Sequence, residues 1–209
     1  MELFDYVFGQ YKDYPALFFW LEIFACVCTL VSAVCSIRNN IWVFPFGIVS
    51  TGIFIYLCLE WNLLGDMIIN IYYFVMSIYG WYFWTRKKEG KIEHPIARMN
   101  KKEQRGWFIL FMIILLLVGG IYVLFDKWKD WTAPIDTFTT ALFFVGMWLM
   151  ARKKVEHWLF WIVGDLISVP LYLYKEFGLT SIQYLIFTII AIFGYVQWRK
   201  ILNSSNQIA

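Results

Sequence analysis

Seven apolar stretches dominate the chain. They run from Pro15 to Ile37, Ile41 to Leu59, Met67 to Trp84, Trp107 to Phe125, Thr137 to Ala151, Trp158 to Tyr174 and Thr180 to Trp198. A helix crosses the hydrocarbon core with about 20 residues, and these stretches come close to or exceed that length. Thr137–Ala151 is the shortest. Together they leave no room for a folded domain outside the membrane. Composition agrees: 61% of the 209 residues are apolar, 22% aromatic and only 16% charged. Soluble domains average about 45–50% apolar and about 25% charged. A soluble enzyme, a disordered regulator and a nucleic-acid-binding domain are excluded, and the lipid bilayer is the expected solvent.

Lysine and arginine set the orientation. The loops after the first, third and fifth spans and the C-terminal tail carry fourteen of the eighteen basic residues. These are Arg38, eight between Arg86 and Arg105, Arg152 to Lys154, and Arg199 with Lys200. The opposite side carries Lys12, Lys127, Lys129 and Lys175. The expectation is a multi-pass protein of the plasma (inner) membrane, N-terminus outside and C-terminus in the cytoplasm. Met1–Tyr6 has no positive segment and no cleavage pattern follows, so the first span is expected to act as the insertion signal. Cys26, Cys28, Cys35 and Cys58 lie in the first two spans and are expected to be buried, inert thiols.

The chain repeats itself. Ser77-Ile-Tyr-Gly-Trp-Tyr-Phe-Trp84 ends the third span, and Ala191-Ile-Phe-Gly-Tyr-Val-Gln-Trp198 ends the seventh. At an offset of 114, Ile78 falls on Ile192, Gly80 on Gly194 and Trp84 on Trp198. Belt aromatics at helix ends can mimic such a match. The topology nevertheless fits: two three-helix units need one extra crossing between them to share an orientation. The expected domains are 1–84 as the first repeat, 85–136 as loop and linker helix (span 107–125), and 137–209 as the second repeat. Parallel repeats of this kind are a transporter plan with the substrate near the midplane.

Polar groups in the spans mark the candidate site, because a charge at the bilayer centre costs about 2.5–3.5 kcal/mol on insertion scales. Trp158, Trp161, Asp165 and Ser168 are spaced three and four apart, one stripe of a helix that Tyr172 extends. A carboxylate among indole rings suits a planar cation; it also suits a packing contact to a neighbouring helix. Gln183 with Phe187 in the seventh span, and Asn70 with Tyr73, Phe74 and Ser77 in the third, add amides and rings that can read hydroxyls or a carboxamide. Amides also bridge helices. Asp66 and Glu22 sit near the outer ends of their spans and read as structural. Pro45 and Pro170 can kink their helices. The 86–105 loop reads as a solvated connector, His94 as incidental, and His157 as an interfacial cap or part of a gate, the cap being favoured. No phosphate-binding glycine loop, HExxH or GxSxG motif is present, and no span contains a lysine. Neither catalysis nor a bound cofactor or metal is expected.

The blocks Arg152–Lys175 and Ser181–Thr188 with Gly194–Trp198 resemble the C-terminal signature of the PnuC family of vitamin transporters. Ile71-Tyr-Tyr-Phe and Ile78–Trp84 are similar to its N-terminal one. This resemblance implies an all-α integral membrane fold of seven transmembrane helices in 3+1+3 parallel repeats, SWEET-like, often a homo-oligomer. It implies facilitated uptake of nicotinamide riboside, trapped inside by a cytoplasmic kinase. Trp161, Asp165, Gln183 and Asn70 would draw the site. Three departures bear on the substrate. The family's riboside carriers have Glu-Asn-Trp where this chain has Glu156-His157-Trp158, Asn where it has Asp165, and Gln where it has Asn70. Thiamine, also carried within the family, is another planar cation that a carboxylate suits. A seven-helix ligand sensor is the reading from a different class.

Overall fold

The computed structural model describes residues 15–208, except 62, 89, 90, 93, 127, 129 and 176. Met1–Tyr6, Lys12, Lys127 and Lys129, used above for leader and orientation, lie outside the described residues. Among those described, the fold is all-α: seven helices and one two-stranded hairpin. The helices are α1 (Ala16–Ile37), α2 (Val43–Glu60), α3 (Leu64–Thr85), α4 (Lys101–Leu124), α5 (Thr132–Ala151), α6 (His157–Tyr174) and α7 (Gly178–Ile208). The hairpin pairs β1 (Lys87–Lys88) with β2 (Lys91–Ile92). Each expected span has its helix. Five are long and apolar enough to cross a membrane: α1, α2, α4, α5 and α7. The other two, α3 and α6, carry Asp66 with Asn70 and His157 with Asp165. The short fifth span gains a turn at its start, because α5 begins at Thr132.

The described chain falls into two compact units. The first runs up to Pro95 and includes Ala151–Lys153; the second takes in Ile96–Met150 and the chain from Lys154 onward. Helix α4, expected as a linker, therefore groups with α5, α6 and α7. Its glycine Gly106 lies under the Trp148 ring, Trp107 meets Phe160 edge-on at 5.3 Å, and Phe111 meets Phe138 at 5.6 Å.

In the first unit, α2 packs against both α1 and α3. Hydroxyls join the first pair: Ser50 Oγ donates to the Ala25 carbonyl at 2.9 Å, and Ser32 Oγ to that of Val43 at 2.7 Å. In the second unit α6 packs on α7, and Ser181 Oγ donates to the Val169 carbonyl at 2.8 Å. Backbone hydroxyl bonds of this kind satisfy polar groups where water is absent.

The offset of 114 recurs in backbone and packing. Asn39 and Lys153 both adopt a left-handed conformation, at φ 50° and 56°. The amides of Asn40 and Lys154 reach back to Cys35 and Leu149 carbonyls at 2.9 and 3.0 Å. Those of Leu63 and Phe177 reach Cys58 and Tyr172 at 2.8 and 2.9 Å. Phe44 crosses Trp84 edge-on at 5.0 Å over Gly80, where a Cβ would lie 2.3 Å from the ring. Trp158 crosses Trp198 edge-on at 5.9 Å over Gly194, where a Cβ would lie 2.5 Å from it. Glycine is needed at both places because two helices approach through it.

The 86–105 segment is more than a solvated connector. Asn100 caps α4 by accepting from the Glu103 amide at 2.9 Å, while Glu103 accepts from the Asn100 amide, a reciprocal capping box. Glu103 is buried and pairs with Lys154 at 3.1 Å. The Val155 amide donates to the Ala97 carbonyl at 3.0 Å, and the Met99 amide to Glu156 at 3.1 Å. His94 stacks on Phe83 at 3.7 Å.

Candidate functional site

Helix α6 carries the densest set of polar groups. Asp165 is 3% exposed, and among the described residues it makes no hydrogen bond or ion pair. Ser168, one turn on, is 1% exposed and its Oγ also has no partner. Buried polar groups are almost always bonded, and a charge even more so, since an unpaired one forfeits its hydration. Asp165 and Ser168 thus place two buried polar groups, one turn apart on one helical face, without partners among the described residues. The packing reading of Asp165 expects a neighbouring backbone or hydroxyl partner, and among the described residues Asp165 makes no such bond. Its counterpart at the 114 offset, Thr51, donates instead to the Gly47 carbonyl of its own helix at 2.7 Å. The first unit thus carries no carboxylate at the position equivalent to 165.

Aromatic rings flank this pair. Trp161 stacks on Phe143 of α5 at 5.4 Å, and Tyr172 lies 5.1 Å from Tyr184 of α7. Gln183 and Phe187 are half-buried on α7, and the Gln183 amide makes no hydrogen bond among the described residues. Trp158 is placed deeper: its ring is packed on Trp198 and over Gly194, with its indole N–H unpartnered. Asn70 and Tyr73 lie on α3 of the first unit. The Asn70 amide donates to the Asp66 carbonyl at 2.9 Å, and Tyr73 leans on Tyr72.

His157 departs from the interfacial placement expected for it. It is fully buried, packed at 4.4 Å against Trp158 and 4.7 Å against Trp198. Its Nδ1 donates to the Lys154 carbonyl at 2.6 Å, which leaves Nε2 without a partner. Just before it, Lys153 is buried with its ammonium 4.5 Å above the Trp84 ring. Burial pushes that ammonium below the usual lysine range. The four cysteines are free; Cys28 and Cys58 are buried and Cys26 and Cys35 half-buried. Among the described residues no group of three or more His, Cys, Asp or Glu is placed to hold a metal.

Sequence reasoning passed over Phe143 and Tyr184. Nothing distinguishes them in so aromatic a chain except Gly164 and Gly146, which make room for the rings of Phe143 and Trp161.

The family model described as nicotinamide mononucleotide transporter matches residues 19–200. The nicotinamide riboside transporter PnuC of Escherichia coli is 23% identical over 90% of this chain and 87% of its own. The riboflavin/roseoflavin transporter RibM of Streptomyces davaonensis is 24% identical over 86% of this chain and 84% of its own. A crystal structure of the vitamin B3 transporter PnuC superposes with a TM-score of 0.65 at 18% identity, covering 94% of this chain and 86% of that one; it speaks to the fold. With a match across nearly all its spans, the chain belongs to the nicotinamide mononucleotide transporter family, that of the PnuC vitamin transporters.

Proposed function

We propose that this protein carries nicotinamide riboside inward by facilitated diffusion, with a cytoplasmic kinase trapping the product. The observation that carries the reading is the buried, unpaired carboxylate of Asp165 beside the unpaired Ser168 hydroxyl. The riboside is a flat pyridinium cation bearing sugar hydroxyls. Asp165 supplies the counter-charge, Ser168 and Gln183 read hydroxyls or the carboxamide, and Trp161 and Phe187 offer faces to the ring. Asn70 and Tyr73 enter as further contacts on the family resemblance, and Trp158 as a wall at the inner end of the stripe.

The organisation proposed is a 3+1+3, SWEET-like pair of parallel repeats, 1–84 and 137–209, joined through 85–136. The shared turns, hydrogen bonds and glycine clasps at the 114 offset support it. The charge asymmetry supports an outside N-terminus and a cytoplasmic C-terminus. Assembly as a homo-oligomer follows from the family resemblance.

Thiamine is the second substrate reading, favoured by the carboxylate at 165, since thiamine too is a planar cation. The relatives, named for riboside and flavin, bracket that choice without making it. Counterflow into proteoliposomes preloaded with unlabelled riboside tests the proposal, with thiamine as competitor and no ion gradient. Riboside exchange that thiamine does not inhibit establishes the riboside; exchange only with thiamine inside transfers the assignment. A protein that binds either without exchanging it is a sensor.

A further inference from the structure

Four rings of the second unit form a continuous series. It leaves α6 at Trp161, one turn before Asp165, and passes to Phe143 of α5 at 5.4 Å and 25°. It continues to Tyr184 of α7 at 5.9 Å and 6°, then to Tyr172 at 5.1 Å and 33°, back on α6 one turn past Ser168. Four rings from three helices therefore begin and end on the stripe that holds the two unpaired polar groups. Phe143 sits at the middle with both neighbours stacked against it. At these separations the stacks are closed, and no further ring fits between them.

Phe143 is held by ring stacking on Trp161 and Tyr184 and by its close seat on Gly164. Trp161 is seated against Gly146, and Tyr184 is braced by Tyr172. Phe143 has no polar atom to anchor it, is half-buried, and rests on the bare Cα of Gly164, the residue beside Asp165. A rotamer change would release it without breaking a hydrogen bond.

We propose that Phe143 is a displaceable plug over Asp165: it holds the stacking places on Trp161 and Tyr184 that the flat cationic ring of the substrate takes when Phe143 swings out. The proposal rests on Asp165 as the substrate's counter-charge and adds a selection rule. An aromatic cation replaces the stacks it displaces. A cation of equal charge without a ring, such as choline, gains a cation–π contact but not the two ring stacks, and is disfavoured despite Asp165.

The test uses a cysteine reporter that does not depend on the substrate. Asp165→Cys is made in the full chain with its four native cysteines changed to serine, and labelled with a cationic methanethiosulfonate. Phe143→Ala is expected to raise the labelling rate at least tenfold, and Phe143→Trp to lower it. Should either the reporter or Phe143→Ala fail to fold, Ser168→Cys and Phe143→Leu give the same comparison. An unchanged rate overturns the plug.

In the chain with Asp165 intact, Phe143→Ala is expected to admit choline as a competitor of riboside binding, where the wild type does not. Continued exclusion of choline overturns the selection rule. The two proposals fail separately: faster labelling in a protein that does not bind riboside keeps the plug and removes the riboside. Riboside counterflow with unchanged labelling keeps the carrier and removes the plug.

Discussion

At the scale of single residues, Asp165 and Ser168 separate binding from stability. Asp165 has no partner to lose among the described residues, so Asp165→Asn is expected to leave the melting temperature in detergent unchanged or raised. Riboside affinity should fall about 10- to 100-fold, the value of a charge-assisted contact of about 1.5–3 kcal/mol. A lower melting temperature with unchanged affinity would assign Asp165 to packing. Ser168→Ala should likewise spare stability while weakening binding by about 0.5–1.5 kcal/mol, read by the same titration. Asp165 was legible in the sequence because a charge inside an apolar run stands out. Phe143 and Tyr184 were not, because in a chain with 22% aromatic residues one more ring carries no contrast. His157 was misjudged for a related reason: it neighbours the basic run Arg152–Lys154, and sequence position alone could not show it turned inward against Trp158 and Trp198.

At the scale of elements, helix–helix approach depends on two glycines. A Cβ at Gly80 or Gly194 would meet the ring of Phe44 or Trp158 at 2.3 or 2.5 Å. Gly80→Ala and Gly194→Ala should each destabilise by about 1–3 kcal/mol, the usual consequence of overfilling a packed contact. Gly120, with nothing within 4 Å of its Cβ position, is the control. Gly120→Ala should be neutral or stabilising by up to about 1 kcal/mol, since alanine favours the helix; thermal unfolding in detergent compares the three. Hydrophobic runs located all seven helices, because each run must satisfy its own backbone in lipid. They misplaced the start of α4, which begins at Lys101 under the Asn100–Glu103 box. An apolarity scan stops where charge begins, whereas the cap is a polar signal, Asn-Lys-Lys-Glu, that it discards. Asn100→Ala should cost about 1 kcal/mol in the same assay.

At the scale of the whole molecule, a carrier that moves a cation without a coupled ion responds to voltage. An interior-negative potential of 100 mV is worth about 2.3 kcal/mol per charge, or about 50-fold accumulation. Proteoliposomes with a potassium diffusion potential should reach that level with riboside, and dissipating the potential should abolish accumulation while leaving exchange intact. Accumulation that needs a sodium or proton gradient would contradict facilitated diffusion. The seven-helix plan and the membrane class were legible because they depend only on where apolar residues run. The choice among planar vitamins was not, because it depends on a few contacts set by three-dimensional packing.

The paired turns carry a history. Asn39 and Lys153 hold the same left-handed bend, although asparagine tolerates it far better than a buried lysine does. Nothing in the lysine side chain favours that bend, and a turn shared at this offset is what the proposed two-repeat organisation expects. On the two-repeat reading, an ancestral three-helix gene was copied and joined through α4, and the backbone kept its bends after most side chains had drifted apart. On the proposed reading, two halves that began as equals now differ at one decisive position, a carboxylate at 165 against a hydroxyl at 51.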